Sequence, residues 1–98
     1  MSLLRHNPSR DAIEPDVCEA LDLLGISYVR LSQAGVPDLL IWHREQYFLI
    51  ELKRRGGKRT KAQIRFHARW RGPIHICCSV NVVLDVINPS VIVSRGCK

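Results

Sequence analysis

Glu51 and Lys53 stand two residues apart in the run Phe48-Leu49-Ile50-Glu51-Leu52-Lys53, and Asp38 heads an earlier apolar run from Pro37 to His43. Side chains on a strand alternate faces, so Glu51 and Lys53 project to the same side, with Leu52 on the other. If the two runs pair as a hairpin, Asp38 is carried to the Glu51 end, and two carboxylates meet one ammonium. Charges gathered within an apolar sheet need compensation, either from one another as an ion pair or from a divalent cation. In the first case Glu51 and Lys53 form an edge pair and Asp38 belongs to a Pro-Asp turn. In the second, the group has the composition needed for metal-assisted hydrolysis of a phosphodiester.

The residues after Lys53 favour a polyanionic partner. No acidic residue occurs from Leu52 to Leu84, whereas nine basic ones do: Lys53, Arg54, Arg55, Lys58, Arg59, Lys61, Arg65, Arg69 and Arg71. Over the whole chain, Lys and Arg total 15 against 9 Asp and Glu, a net charge of +6. A basic stretch of this kind binds nucleic acid by releasing counterions, and it grips phosphates rather than reading bases. Arg54, Arg55, Lys58, Arg59 and Lys61 are the expected contacts, with Arg65 and Arg69 extending them. The competing account is a solvated basic face that serves solubility.

The elements that must position these residues can be read from hydropathy and punctuation. Residues 1–12 are polar and aperiodic, as expected of a flexible arm. Val17, Ala20, Leu21 and Leu24 recur at helical spacing, with Pro15 suited to the first turn and Gly25 to the stop. Ile26 to Leu31 predicts a short strand and Ser32 to Val36 a loop. The runs Pro37–His43 and Tyr47–Lys53 flank the polar Arg44-Glu45-Gln46, a hairpin signal. Both runs are apolar on both faces, the pattern of central strands covered on each side. Gly56-Gly57 opens a basic loop, and Thr60 with Gln63 forms a capping-box signature for a helix to about Arg71. Ile74 to Cys78 predicts another strand, Ser79 caps a short helix through Val82, Val83 and Val86, and Val91 to Ser94 predicts an edge strand.

At 98 residues the chain suits one domain with a thin core, and a homodimer is a natural way to cover remaining apolar surface. Cys18, Cys77, Cys78 and Cys97 lack zinc-binding spacing, and no apolar leader precedes them, so reduced thiols in a cytoplasmic setting are expected. His75, beside two of these cysteines, fits a core or strand-edge position better than a ligand. No apolar stretch approaches the roughly 20 residues needed to span a bilayer.

Taken together, Gly35-Val36-Pro37-Asp38-Leu39, Phe48 to Lys53, Gly56-Gly57-Lys58, Thr60 and Gln63 resemble the VRR-NUC branch of the PD-(D/E)xK nuclease superfamily. The matching motifs run from about Glu14 to Trp70, and the rest of the chain is compatible with small stand-alone members, several of them phage-encoded. The resemblance implies a restriction-endonuclease-like α/β fold, an αβββαβα core with a central mixed sheet flanked by helices. It further implies that Asp38, Glu51 and the Leu52 carbonyl bind Mg2+ or Mn2+, that Lys53 assists the attack on phosphorus, and that Gln63 closes the site near the lysine, a role compatible with capping. Members also carry an acidic residue on the first helix, for which Glu14 fits best, ahead of Glu19 and Asp11. By the same resemblance the substrate is branched DNA, such as a four-way junction, cut by a homodimer. A flap or single-strand nuclease within a larger assembly, and a catalytically silent nucleic-acid-binding module, are the alternatives.

Overall fold

The computed structural model describes residues 10–89. Along the chain the elements are α1 (Arg10–Leu24), β1 (Ser27–Arg30), β2 (Leu39–His43), β3 (Gln46–Leu52), α2 (Lys61–Arg69), β4 (His75–Cys77) and α3 (Val80–Ile87). The strands form one sheet in the order β1-β2-β3-β4. The pairs β1/β2 and β2/β3 are antiparallel, and β3/β4 is parallel, with α2 carried by the crossover. The molecule is thus a small α/β protein with a four-stranded mixed sheet and, among the described residues, three helices. The segment expected to form an edge strand, Val91 to Ser94, lies outside the described residues, as do the first nine of the expected arm.

The first helix differs from expectation. It begins at Arg10 and includes Pro15 in its interior rather than in its first turn. Ile13, Val17, Cys18 and Leu21 are all buried along one stripe, which extends one turn earlier than the sequence pattern indicated. Burial of Ile13 offsets the hydrogen bond that proline forfeits, and Pro15 itself faces outward. Leu24, expected on the buried stripe, is exposed. The helix ends as expected: Gly25 adopts φ +71°, Ile26 N donates to Leu21 O, and Gly25 N donates to Asp22 O, a Schellman closure.

The two central strands form the anticipated hairpin. Leu39 pairs with Ile50, Ile41 with Phe48 and His43 with Gln46, so only Arg44 and Glu45 make the turn. Both have positive φ, 55° and 67°, the handedness that matches strand twist in two-residue turns. At α2, Thr60 and Gln63 form the reciprocal capping box, and at α3 the Ser79 side chain accepts from Val82 N.

Leu39, Ile41, Phe48, Ile50, Leu52 and Cys77 join residues of α1 and α3 in one buried cluster. Full burial of each large aliphatic side chain there is worth about 1.5–3 kcal/mol. The opposite strand face carries Leu40, Trp42, Tyr47, Leu49 and Glu51. It is not covered as the doubly apolar pattern implied: Trp42 is 42% and Tyr47 69% exposed. Their rings contact one another, with centroids 4.7 Å apart. Only toward the Glu51 end does α2 approach this face.

The cysteines also depart in part from expectation. Cys18 and Cys77 are free, but Cys78 is disulfide-bonded. Complete burial pushes the Cys77 thiol up to about 12, leaving it inert as a nucleophile.

Candidate active site

Asp38 and Glu51 are buried, at 4% and 0% exposure, in a molecule whose other described carboxylates, Glu14 and the half-buried Asp85 apart, are exposed. Asp38 precedes β2, and its amide donates to Ile50 O at 2.9 Å. Its Oδ2 accepts from Leu52 N at 2.6 Å. The aspartate side chain thereby takes the place of a ladder partner where the two strands part, and is fixed against the Glu51-Leu52 step. Replacing it with an apolar residue would leave a buried amide unsatisfied, at a cost of about 1–3 kcal/mol.

Lys53 continues the pairing of β3 with β4 through Lys53 N to Cys77 O at 2.9 Å. Strand alternation turns its side chain back to the Glu51 side, with Nζ 4.0 Å from Glu51 Oε2. At that distance two unit charges attract by about 4 kcal/mol at an effective dielectric of 20. The desolvation of a buried ion costs several kcal/mol, so this one contact does not offset the burial of Glu51.

The other oxygen of Glu51 faces a residue that the sequence pattern did not single out. His67 Nε2 lies 3.5 Å from Glu51 Oε1, and its side chain is 12% exposed. Its Nδ1 is 3.0 Å from Arg59 Nη1. Burial, reinforced by the Arg59 and Lys53 charges, lowers the His67 pKa, keeping the ring neutral at neutral pH. A signal was available in retrospect: Gln63 and His67 are four residues apart and share one helix face.

Asp38, Leu52, Lys53 and Gln63 line an open cleft of about 520 Å³ together with the β1–β2 loop and the basic segment, including Arg54 and Lys58. Gly35 in that loop has φ +85°, and a Cβ there would stand 2.8 Å from Ala62 O in α2. Only glycine allows the loop and the helix to approach this closely. Gln63 Oε1 accepts from Thr60 N at 2.8 Å, so capping occupies this oxygen while the residue borders the cleft. Arg54, Arg55, Lys58, Arg59, Lys61 and Arg65 are all exposed.

Glu14 is buried within α1 with Arg30 Nε 3.2 Å from its Oε2, and like Glu51 it is not part of the cleft lining. Glu19 is exposed on the same helix. Among the described residues no three His, Cys, Asp or Glu side chains are grouped to hold a metal ion. Asp38 and Glu51 carry oxygen donors of the hard type that Mg2+ and Mn2+ prefer; Asp38 lines the cleft, and Glu51 is enclosed.

Fold and site together define a small α/β protein with a buried aspartate and a lysine at the wall of a basic cleft and a second, fully enclosed carboxylate beside that lysine. Neither a protein-family model, nor a curated protein, nor a solved structure matches the chain. No helix among the described residues is long and apolar enough to cross a membrane.

Proposed function

We propose that the protein is a metal-dependent nuclease that hydrolyses phosphodiester bonds in DNA, a member of the VRR-NUC branch of the PD-(D/E)xK superfamily. The observation that carries this reading is the burial of two carboxylates at the adjoining ends of β2 and β3, Asp38 at the wall of a cleft shared with an acid-free basic loop and Glu51 fully enclosed, with Lys53 lining the cleft 4.0 Å from Glu51. The element order αβββαβα agrees with it.

Asp38, Glu51 and the Leu52 carbonyl would hold Mg2+ or Mn2+. When bound, the cation supplies Lewis acidity toward water and a phosphate oxygen. Lys53 places a positive charge where negative charge gathers on the phosphate during attack. Arg54, Arg55, Lys58, Lys61 and Arg65 hold the backbone so that the scissile phosphate meets these groups. The partly uncovered face around Trp42 and Tyr47 supports a homodimer, and a dimer suits paired cuts in branched DNA.

A second reading draws on the contacts of Glu51 itself. Because Lys53 and His67 both face its carboxylate, the cluster can serve as a structural pair in a nucleic-acid-binding module without catalysis. Incubation of the purified protein with labelled duplex, flap and four-way-junction DNA, with Mg2+, Mn2+ or chelator, separates the two. The nuclease reading expects cation-dependent products, most from the junction. Binding without cleavage under every cation would leave the module.

A further inference from the structure

The two oxygens of Glu51 are divided between different neighbours, Oε2 toward Lys53 and Oε1 toward His67. What His67 can offer Oε1 is fixed by its other nitrogen. A guanidinium has donors and no acceptor, so the 3.0 Å approach of Arg59 Nη1 to His67 Nδ1 requires that Nδ1 present its lone pair. In a neutral imidazole the single proton then resides on Nε2, the nitrogen 3.5 Å from Glu51 Oε1. The reverse assignment would set an N–H of the ring against an N–H of arginine and one lone pair against another at the carboxylate.

We infer that Arg59 and His67 form a positioning chain: Arg59 selects the Nε2–H tautomer of His67, and that N–H faces Glu51 Oε1 across 3.5 Å, a dipole-to-charge contact longer than a hydrogen bond, leaving Oε2 for the Lys53 side of the cleft. This inference rests on the proposed reading of Glu51 as a cation-binding group, and it adds two roles to the site. His67 is a positioning residue rather than a metal ligand, because binding a cation through Nε2 needs that nitrogen unprotonated and the proton on Nδ1. Arg59, placed by charge alone among the phosphate-gripping residues, faces inward to the site through His67. The chain spans α2 and the loop before it, so the basic segment that meets the nucleic acid and the carboxylate in the sheet are joined through one imidazole.

The tautomer is measurable without any activity. In protein labelled with 15N-histidine, ring nitrogen shifts and their couplings to the ring carbon-bound protons, assigned by their loss in His67→Gln, should show a protonated Nε2 and an unprotonated Nδ1. Arg59→Leu should raise the Nδ1–H fraction. With junction DNA and Mn2+, His67→Ala should lower kcat about tenfold with KM unchanged, the scale of a lost partner to a cation-binding group. His67→Gln, whose amide N–H reaches the same place, should recover most of that loss, and thermal unfolding of both variants establishes that each is folded. A wild-type Nδ1–H tautomer, an Arg59→Leu spectrum identical to wild type, or a His67→Gln as impaired as His67→Ala would each overturn the inference. If no DNA is cleaved by the wild type, the nuclease reading fails, and the histidine spectra still decide whether the chain exists.

Discussion

Replacing Gly35 by alanine tests how the cleft is closed between the β1–β2 loop and α2. Two costs add at this position. At φ +85° an L-residue enters the left-handed region, which costs about 1–2 kcal/mol. The new Cβ would also stand 2.8 Å from Ala62 O and 3.1 Å from Ala62 C and Cβ, backbone and a short side chain that cannot swing away. Relieving such an overlap costs about 1–3 kcal/mol more. Gly56 supplies the control: its φ is +76°, but nothing lies within 4 Å of its added Cβ, so Gly56→Ala bears only the first cost. Gly35→Ala should therefore be less stable than Gly56→Ala by about 1–3 kcal/mol, a gap of roughly 4–24 °C in Tm for a domain of this size. Urea unfolding followed by circular dichroism, with thermal melts alongside, measures it directly. Equal stability of the two variants would refute the close approach of loop and helix, and with it the shape assigned to the cleft.

Glu51→Gln and Asp38→Asn should each abolish cleavage while DNA affinity survives, since the basic loop supplies most of the binding; Lys53→Ala should slow cleavage about tenfold to a hundredfold. Gel-based cleavage and binding assays on the same preparations check this, and cation-dependent cleavage retained in both carboxylate variants would dismiss the site. Replacing Arg54, Arg55 and Lys58 together should flatten the salt dependence of binding by up to about 0.9 log unit of slope per lost duplex contact; an unchanged slope would put the nucleic acid elsewhere. Burial lowers the pKa of both His67 and His75, so the unfolded chain binds more protons than the folded one as pH falls. Stability should hold above the unfolded value of about 6.5 and decline below it, and urea midpoints at pH 7.5 and 5.5 that fail to differ in this direction would contradict the burial of both rings. Light scattering at tens of micromolar should report a dimer, and a monomer would remove the paired-cut picture.

Much of the positioning was legible because it is local. Thr60 and Gln63 marked α2, Ser79 marked α3, and two apolar runs around a polar triplet marked the hairpin that carries Asp38 to Glu51. What depends on packing between distant segments was not. Ile13 draws α1 through Pro15 because a sheet face awaits it, which no window around the proline reveals. The ion pair between Glu14 and Arg30 joins the first helix to the strand after it, a contact that neither segment announces alone. His67 reaches Glu51 only through the β3–α2 crossover: its spacing from Gln63 gives the shared helix face, but not the buried carboxylate that this face meets. The open Trp42 and Tyr47 face shows the converse: an apolar pattern on both sides of a strand reports capacity for burial, not what is there to cover it.

The two-residue turn at Arg44-Glu45 acts as a ruler for the whole site. Because Leu39 and Ile50 are paired by counting outward from this turn, its length decides that Asp38 meets the Leu52 amide at the far end of the hairpin. Solvent-exposed tips ordinarily absorb insertions and deletions at little cost. Here one added residue, without a compensating bulge, would slide one strand by a step, turn its inward side chains outward and carry the aspartate off its amide. Variation in length at this tip is thus constrained by chemistry at the opposite end of the hairpin, whereas the identities of the two tip residues are constrained by their positive φ and, at Arg44, by the hydrogen bond its guanidinium donates to Asn88 Oδ1.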